Sequence, residues 1–574
     1  AAAAAPAATA VRALFAVDEP PASAKRVTLR TLPVPVQLPL KHTALVCIDF
    51  QRDFLDQGGF GAALGNDVNL ARTCLPAAAT LLEAARESGL VIVHTKEGHA
   101  QDLSDCPPTK RNGLRAPPHG LRIGDEAGLG KLLVEGSAAN DFVPEAAPLE
   151  GEIVLRKPGK GAFFCTDLHE RLRALKVTHL VVCGVTTEVC VQTTIREAND
   201  RGYECVLVED ATASYFPHFK RATIEMMRSQ GGIAGYTLAK ADDFAAALRG
   251  DDAVEPPPQT PPTAPPKAVV AAPARLERAV RRHGASVAAA CLATGLAAAL
   301  ARRRPSAHAI SLIGAAFAAG ALSARYFASM AAEREVRAMA ALAVREALPG
   351  ADKGDVNIQC DYDRLFGMCQ HDTAVVCIDL QTDFVDSANG RLAKQYDPNK
   401  LEAVSEAVAN AARLLAAARK AGLTVAHSRS HRYGTSIRRD LVGVGDAGYE
   451  LFPAVAAMPG EIVVDKWTFG AFASTQLEAE LRARGVRRIL LCGVLTNVCV
   501  FSTAIQAVDR FFRVCLVEDA CASFERDWHE AALMLINEPQ RAAGHAQKGN
   551  SATGLYFGEI SSVDRVQAAL KSLP

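Results

Sequence analysis

The chain repeats itself. Residues 44–49 read ALVCID and residues 374–379 read AVVCID; 180–191 read LVVCGVTTEVCV and 489–500 read ILLCGVLTNVCV; 206–214 read VLVEDATAS and 515–523 read CLVEDACAS. A Lys-x4-Ala-Phe element also recurs, as Lys157 with Ala162 and Phe163 and as Lys466 with Ala471 and Phe472. Lys157 to Cys190 and Lys466 to Cys499 are both 33 residues, and Cys190 to Asp210 and Cys499 to Asp519 are both 20. In 574 residues, a period this long means two copies of a whole domain rather than a solenoid. The copies differ mainly ahead of the lysine. Asp49 to Lys157 is 108 residues and Asp379 to Lys466 is 87, because the first copy carries a longer Pro/Gly-rich segment around residues 99–150.

Each copy alternates strand-like and helix-like stretches. In the first, residues 46–49, 90–95 (LVIVHT), 152–157 (EIVLRK), THLVVCGV and ECVLVED read as strands, and 74–88, 166–176 and 188–201 have helical period. Continuous Val/Leu/Ile runs suit strands buried on both faces, so the fold class expected is α/β: two three-layer domains, each a parallel sheet flanked by helices. Ligands in such sheets sit at the carboxyl ends of the strands, where Asp49, Lys157 and the Gly184–Cys190 turn all fall.

The organisation expected is a disordered or targeting tail over 1–29, a domain over 30–248, a Pro-rich linker over 249–275, an Ala-rich helical region over 276–348 and a second domain over 360–574. The linker contains EPPPQTPPTAPP, which has no core-forming residues. Residues 285–301 and 306–324 carry no charge and are separated by Arg302, Arg303, Arg304 and Pro305. Each run is near the lower length for a membrane span, roughly 17–25 residues. The pair reads as a membrane-inserted hairpin through 285–324 or as a soluble helical hairpin or oligomerisation element; a homo-oligomer is expected.

Lys+Arg and Asp+Glu balance at 63 each, so no net field directs the chain to nucleic acid. The 15 cysteines are odd in number and form no CxxC pair, which suits a reducing, intracellular compartment rather than a disulfide framework. The sequence begins at Ala1 without Met, which reads as processing or truncation. Residues 1–17 are Ala-rich with Arg12 and no acid before Asp18, which fits an organelle transit remnant (plastid or mitochondrion) and fits a disordered tail of a cytoplasmic protein equally.

The chemistry lies in three residues per copy. A cysteine at a strand-to-helix turn gains from the positive helix end, which favours the thiolate, and a nearby ammonium adds to this. A carboxylate within reach can take the thiol proton and return it to a departing amine. Backbone N–H groups of the turn can hold the oxyanion. A single Cys in VCV is more often core packing, and a single Asp after a strand is often a helix cap. Joint recurrence of Asp, Lys and Cys at one spacing favours the catalytic reading. Cys47, Cys183, Cys377 and Cys492 also recur, but mid-strand, and are read as buried.

The elements CID-x-Q-x-DF (47–54, 377–384), Lys-x4-AF and CGV-x-T-x-VCV resemble the isochorismatase-like cysteine hydrolase superfamily, over roughly residues 30–245 and 365–570. The resemblance implies catalytic sets Asp49, Lys157, Cys190 and Asp379, Lys466, Cys499. It also implies a non-proline cis peptide at Val185–Thr186 and at Leu495–Thr496, aiming the amides of Thr186 and Cys190, or Thr496 and Cys499, at the oxyanion. In the first copy EGHAQDLSDCPP (97–108), KPGKGAFFCTDL (157–168), GVTTEVCVQTT (184–194) and RSQGGIAGY (228–236) are similar to biuret and triuret hydrolases. That implies a small urea-type amide substrate, cleaved to ammonia through a thioester, with Gln230 binding the substrate. Ala234 departs from the larger aromatic residue expected there. Ureidoacrylate and carbamoyl-amide hydrolases are the alternative, and a membrane-tethered scaffold whose domains mainly bind is a rival class.

The second copy lacks the Gln-Gly-Gly segment. Its own features are HSRSHRYG (427–434), Arg438, Arg439 and Trp467, which read as an anionic-substrate mouth or as a solvated loop. No cofactor and no metal are expected: the regions HTKEGHAQD and HSRSHRYG lack the Asp-x-His…His set of nicotinamidase-like relatives, and His427 with His431 is a weak zinc pattern.

Overall fold

The computed structural model describes residues 20–106, 122–232, 234–250, 356–359, 365–391, 393–395, 398–431, 445–537 and 557–573. Most of the expected tail, the Pro-rich linker, the Ala-rich region with its two apolar runs, and Arg438 and Arg439 lie outside the described residues. No described helix is long and apolar enough to cross a membrane. Both copies fall in one compact unit, Val17–Val254 with Lys353–Pro574.

The first sheet uses β1 (Thr43–Ile48), β2 (Val91–Glu97), β3 (Ile153–Lys157), β4 (His179–Val185), β5 (Glu204–Ala213) and β6 (Tyr236–Leu238), in the order β6-β5-β4-β1-β2-β3, all parallel. The second uses β7 (Thr373–Ile378), β8 (Thr424–Ser430), β9 (Ile462–Lys466), β10 (Arg488–Val494), β11 (Arg513–Ala522) and β12 (Glu559–Ser561), in the matching order β9-β8-β7-β10-β11-β12, also parallel. Every residue of β1 and of β7 is buried, as expected of central strands covered by helices on both faces. The strand order reverses between β1 and β4, and between β7 and β10. Ligands of open α/β sheets bind in the crevice at such a switch point.

The glycine of each CGV element is demanded at that switch point. Gly184 and Gly493 both have φ 125°, and a Cβ on either would lie 2.1 Å from a carbonyl oxygen, that of Ile48 or Ile378. Only glycine lets β4 and β10 approach so closely. The cysteines just before them sit side by side with their counterparts: Cys47 beside Cys183 with Sγ atoms 3.7 Å apart, and Cys377 beside Cys492 at 3.2 Å. All four are buried and free, filling the core as expected of small apolar side chains.

The principal helices are α1 (Leu75–Glu87), α2 (Gln192–Asp200), α3 (Pro217–Gly232), α4 (Pro398–Lys420), α5 (Phe501–Asp509) and α6 (Arg526–Asn537). α3 packs against α6 of the other domain. Phe219, Ala222 and Met226 of α3 belong to the same apolar cluster as the second sheet. The two domains therefore share core, and the burial of those side chains joins them as one folding unit.

Candidate active site

Asp49 and Asp379 directly follow the β1 and β7 runs, and both hold φ 53°, a left-handed conformation that Asp tolerates better than most residues. The turn lets each carboxylate face the next strand. Thr95 Oγ1 donates to Asp49 Oδ1 at 2.7 Å, and Ser428 Oγ donates to Asp379 Oδ1 at 2.7 Å. The other oxygen pairs with lysine: Lys157 Nζ lies 2.8 Å from Asp49 Oδ2, and Lys466 Nζ lies 2.6 Å from Asp379 Oδ2. Both lysines close β3 and β9 and are fully buried. Their remaining donors reach the loop that follows, at Gly159 and Lys160 carbonyls in one domain and the Thr468 carbonyl in the other. The paired charge and these carbonyls compensate an ammonium removed from water.

Cys190 and Cys499 sit in wide turns, Thr187–Val191 and Thr496–Val500, that lead into α2 and α5. The amide of Val191 bonds the Thr186 carbonyl at 3.3 Å, and that of Val500 bonds the Leu495 carbonyl at 3.2 Å, one residue wider than an α-helical bond. Such bulges often mark functional positions. Cys190 is 3% exposed and Cys499 is partly exposed. Asp49, Glu97 and Cys190 each offer an atom within 4.8 Å of the others. The candidate set of the first domain thus converges. In the second domain Asp379 and Lys466 pair, and Cys499 occupies the equivalent turn at the end of the neighbouring strand.

The first site is crowded with charge. Glu97 Oε2 lies 3.6 Å from Cys190 Sγ and 3.6 Å from Lys157 Nζ. Burial pushes the Cys190 thiol well above its ordinary value; Lys157 opposes this, and Asp49 and Glu97 reinforce it. Burial likewise raises the Asp49 carboxyl, against the pull of Lys157. For Lys157, burial acts downward, but Asp49, Cys190 and Glu97 together hold its ammonium above the usual range. Burial and the two neighbouring acids thus favour the thiol over the thiolate, and Asp49 stands beside it as a group that can take its proton. Asp49, Glu97 and Cys190 could also ligate a cation, but the Lys157 ammonium already supplies positive charge among them.

The structure corrects one expectation. The non-proline cis bonds are Val185–Thr186 and Val494–Leu495, not Leu495–Thr496. The repeat keeps register from the cysteine, so VLTNVC matches VTTEVC with Leu495 in the place of Thr186. Thr496 instead faces His529, Oγ1 to Nδ1 at 2.8 Å. Gln230 is at a break in α3 with φ 51°, and its Oε1 is buried without a hydrogen bond. No hydrogen bond joins it to Asp49, Lys157 or Cys190 among the described residues. Its neighbour Ser229 accepts from Asn497 Nδ2 of the second domain at 3.1 Å. His427 pairs with Glu461 at 3.1 Å, whereas His431 packs edge-on to Tyr449 and Trp467, so the two imidazoles have different partners.

Glu97 and its counterpart Ser430 were not singled out by sequence. The strand expected over 90–95 continues to Glu97, and alternation puts residue 97 on the face of Thr95. That extension was the available signal. The contacts between domains had no sequence signal. Asp200 Oδ1 accepts the amide of Phe469 at 2.5 Å, and Asp509 Oδ1 accepts the amide of Lys160 at 3.4 Å. Each aspartate thereby holds the other domain's loop just beyond its buried lysine.

An isochorismatase domain model matches residues 43–237 and 373–546. Ureidoacrylate amidohydrolase RutB of Cronobacter sakazakii is 35% identical over 199 residues, 34% of this chain and 84% of that protein. RutB of Azorhizobium caulinodans is 32% identical over 193 residues, 33% of this chain and 83% of that protein. Among solved structures, an isochorismatase family protein from Desulfovibrio vulgaris is 28% identical, covers 36% of this chain and 98% of its own, and has a TM-score of 0.31. The two parallel three-layer domains and the twice-matched model define the class, that of isochorismatase-like α/β hydrolases. The chain belongs to the isochorismatase family, with two copies of its domain.

Proposed function

We propose that the chain is a tandem cysteine amidohydrolase whose first site cleaves small uncharged urea-type amides, biuret-like in chemistry, and releases ammonia. The observation that carries the reading is the convergence of Asp49, Lys157 and Cys190 within one buried cluster. Asp49 takes the thiol proton as Cys190 Sγ bonds the substrate carbonyl carbon. The amides of Thr186 and Cys190 hold the oxyanion. As the C–N bond breaks, Asp49 returns the proton to the leaving nitrogen, and ammonia departs from a thioester. Water then attacks with Asp49 as base, the carboxylic product leaves, and the thiol is restored. Lys157 keeps Asp49 oriented and offsets charge building on sulfur. Glu97 supplies an acceptor for substrate N–H groups, which suits a ureido group better than an anion.

The second site runs the same chemistry through Asp379, Lys466 and Cys499, on a substrate of its own, since Ser430 stands where Glu97 does. A ureidoacrylate-type substrate is the second reading for the chain, favoured by the two RutB relatives. Rapid-quench mass spectrometry of the full chain mixed with biuret or ureidoacrylate tests the thioester. An acyl adduct on the Cys190 peptide is expected, and turnover that persists in Cys190→Ala contradicts the first-site assignment.

A further inference from the structure

The second site is buttressed by the first domain. Arg196 lies on α2 only six residues after Cys190, yet its side chain turns away from its own domain. It is 3% exposed. Its Nη2 donates to the Asn497 carbonyl at 2.9 Å, and its Nη1 donates to Ser502 Oγ at 3.0 Å and to the Val498 carbonyl at 3.4 Å. The guanidinium also lies over the Phe501 ring, 4.8 Å from its centre. No carboxylate of a described residue forms an ion pair with it. Burial pushes the guanidinium down to about 10, which leaves it charged at neutral pH. A buried charge without an ion pair needs compensation nearby: the Asp200 carboxylate, four residues on, attracts it through space, and the two carbonyls immediately before Cys499 accept its hydrogen bonds.

That placement has a geometric result. A trans peptide carries its C=O and N–H on opposite edges. Drawing the Val498 carbonyl toward Arg196 aims the Cys499 amide the other way, off the Arg196 side of the turn. Ser229 of the first domain pins the same turn through Asn497. The arrangement is one-way. Residue 505 stands where 196 does, as 499 stands where 190 does, and it is Ile505, which has no donor.

We propose that Arg196 is a positioning residue for the second active site: across the domain boundary, it fixes the peptide before Cys499 so that the Cys499 amide serves as an oxyanion donor. The proposal rests on reading Cys499 as a nucleophile. Acyl transfer at Cys499 then depends on the first domain, whereas among the described residues no such guanidinium bonds the turn of Cys190.

The test uses the full chain and two probes of each cysteine, resolved by peptide mass spectrometry. Iodoacetamide reads thiolate, and p-nitrophenyl acetate reads acylation, which also needs the oxyanion donor. Arg196→Ile installs the side chain found at position 505. The expected result is Cys499 acylation slowed at least about tenfold beyond any fall in its alkylation, with Cys190 labelling intact as the internal check of the fold. Equal slowing of both probes, or no change in either, overturns the proposal. If Arg196→Ile also abolishes Cys190 labelling, Arg196→Lys decides: it keeps the charge but loses the planar fork. Acylation of Cys499 slowed several-fold at unchanged alkylation supports the role, and wild-type acylation overturns it. Failure of Cys499 to acylate in the unaltered chain is a separate outcome: it removes the nucleophile assignment and with it this proposal.

Discussion

Glu97 and Ser430 stand at the same point in the two sheets, each the last residue of the strand beside the aspartate strand, and each approaches its lysine ammonium: 3.6 Å from Lys157 and 3.5 Å from Lys466. Among the described residues, one domain thus sets two carboxylates against one ammonium around its cysteine, and the other pairs one carboxylate with one ammonium. An added negative charge disfavours a thiolate. At pH 7, Cys499 is expected to react with iodoacetamide about tenfold or more faster than Cys190, and Glu97→Gln is expected to narrow the gap. Alkylation rates against pH measure both. A faster Cys190, unmoved by Glu97→Gln, contradicts the electrostatic reading.

The buried Asp49–Lys157 pair predicts strong coupling. Lys157→Met leaves an uncompensated buried carboxylate and should cost about 3–5 kcal/mol. The double variant with Asp49→Asn should cost less than the sum of the singles. Urea unfolding of all three measures the coupling, and strict additivity would count against a paired, buried charge.

Asp200 accepts both the Phe469 amide and Gln506 Nε2, the latter at 3.0 Å. Asp200→Ala orphans these buried donors and should cost about 1–3 kcal/mol. It should slow acylation of Cys499 more than that of Cys190, because the released loop is the one that receives Lys466. Asp509→Ala should show the opposite preference. Matched effects on both cysteines would show the aspartates to be general stabilisers.

Glu197 predicts a pH dependence of stability. Burial, aided by Asp509, raises its carboxyl to about 7, against Arg201 and the Phe163 amide it accepts. The folded state keeps this proton across the window from about 4.5 to about 7, while the unfolded chain releases it. Stability from this group is therefore present below the window and lost as pH rises through it. Gln506 stands at the equivalent place and accepts the Phe472 amide at 3.1 Å. Glu197→Gln should thus fold as well at pH 5 and be more stable at pH 8, by order of 1–3 kcal/mol. Melting temperatures at both pH values decide; a gain at pH 5 alone reverses the sign.

The fold was legible because buried parallel strands leave continuous apolar runs and because the chain wrote its domain twice. The candidate triads were legible for the same reason: Asp, Lys and Cys at a shared spacing are hard to attribute to packing. The cis bond in the second domain was misplaced by one residue because its turn keeps only one of the two threonines, and matching on threonine rather than on cysteine shifts the register. Glu97 was hidden by ending its strand at Thr95. Arg196, Asp200 and Asp509 could not be read at all. They sit on helices whose sequence gives the buried stripe but not what the stripe faces, and their partners lie some 270–350 residues away along the chain.

The central claim is that the converged Asp49, Lys157 and Cys190 make a working amide-cleaving centre. Ammonia release from biuret and ureidoacrylate by the full chain, compared with its Cys190→Ala and Cys499→Ala variants, tests it most directly. The account predicts release from at least one of the two that is abolished by Cys190→Ala and retained in Cys499→Ala. Undiminished release from Cys190→Ala, or none from folded wild-type chain on either compound, would contradict it.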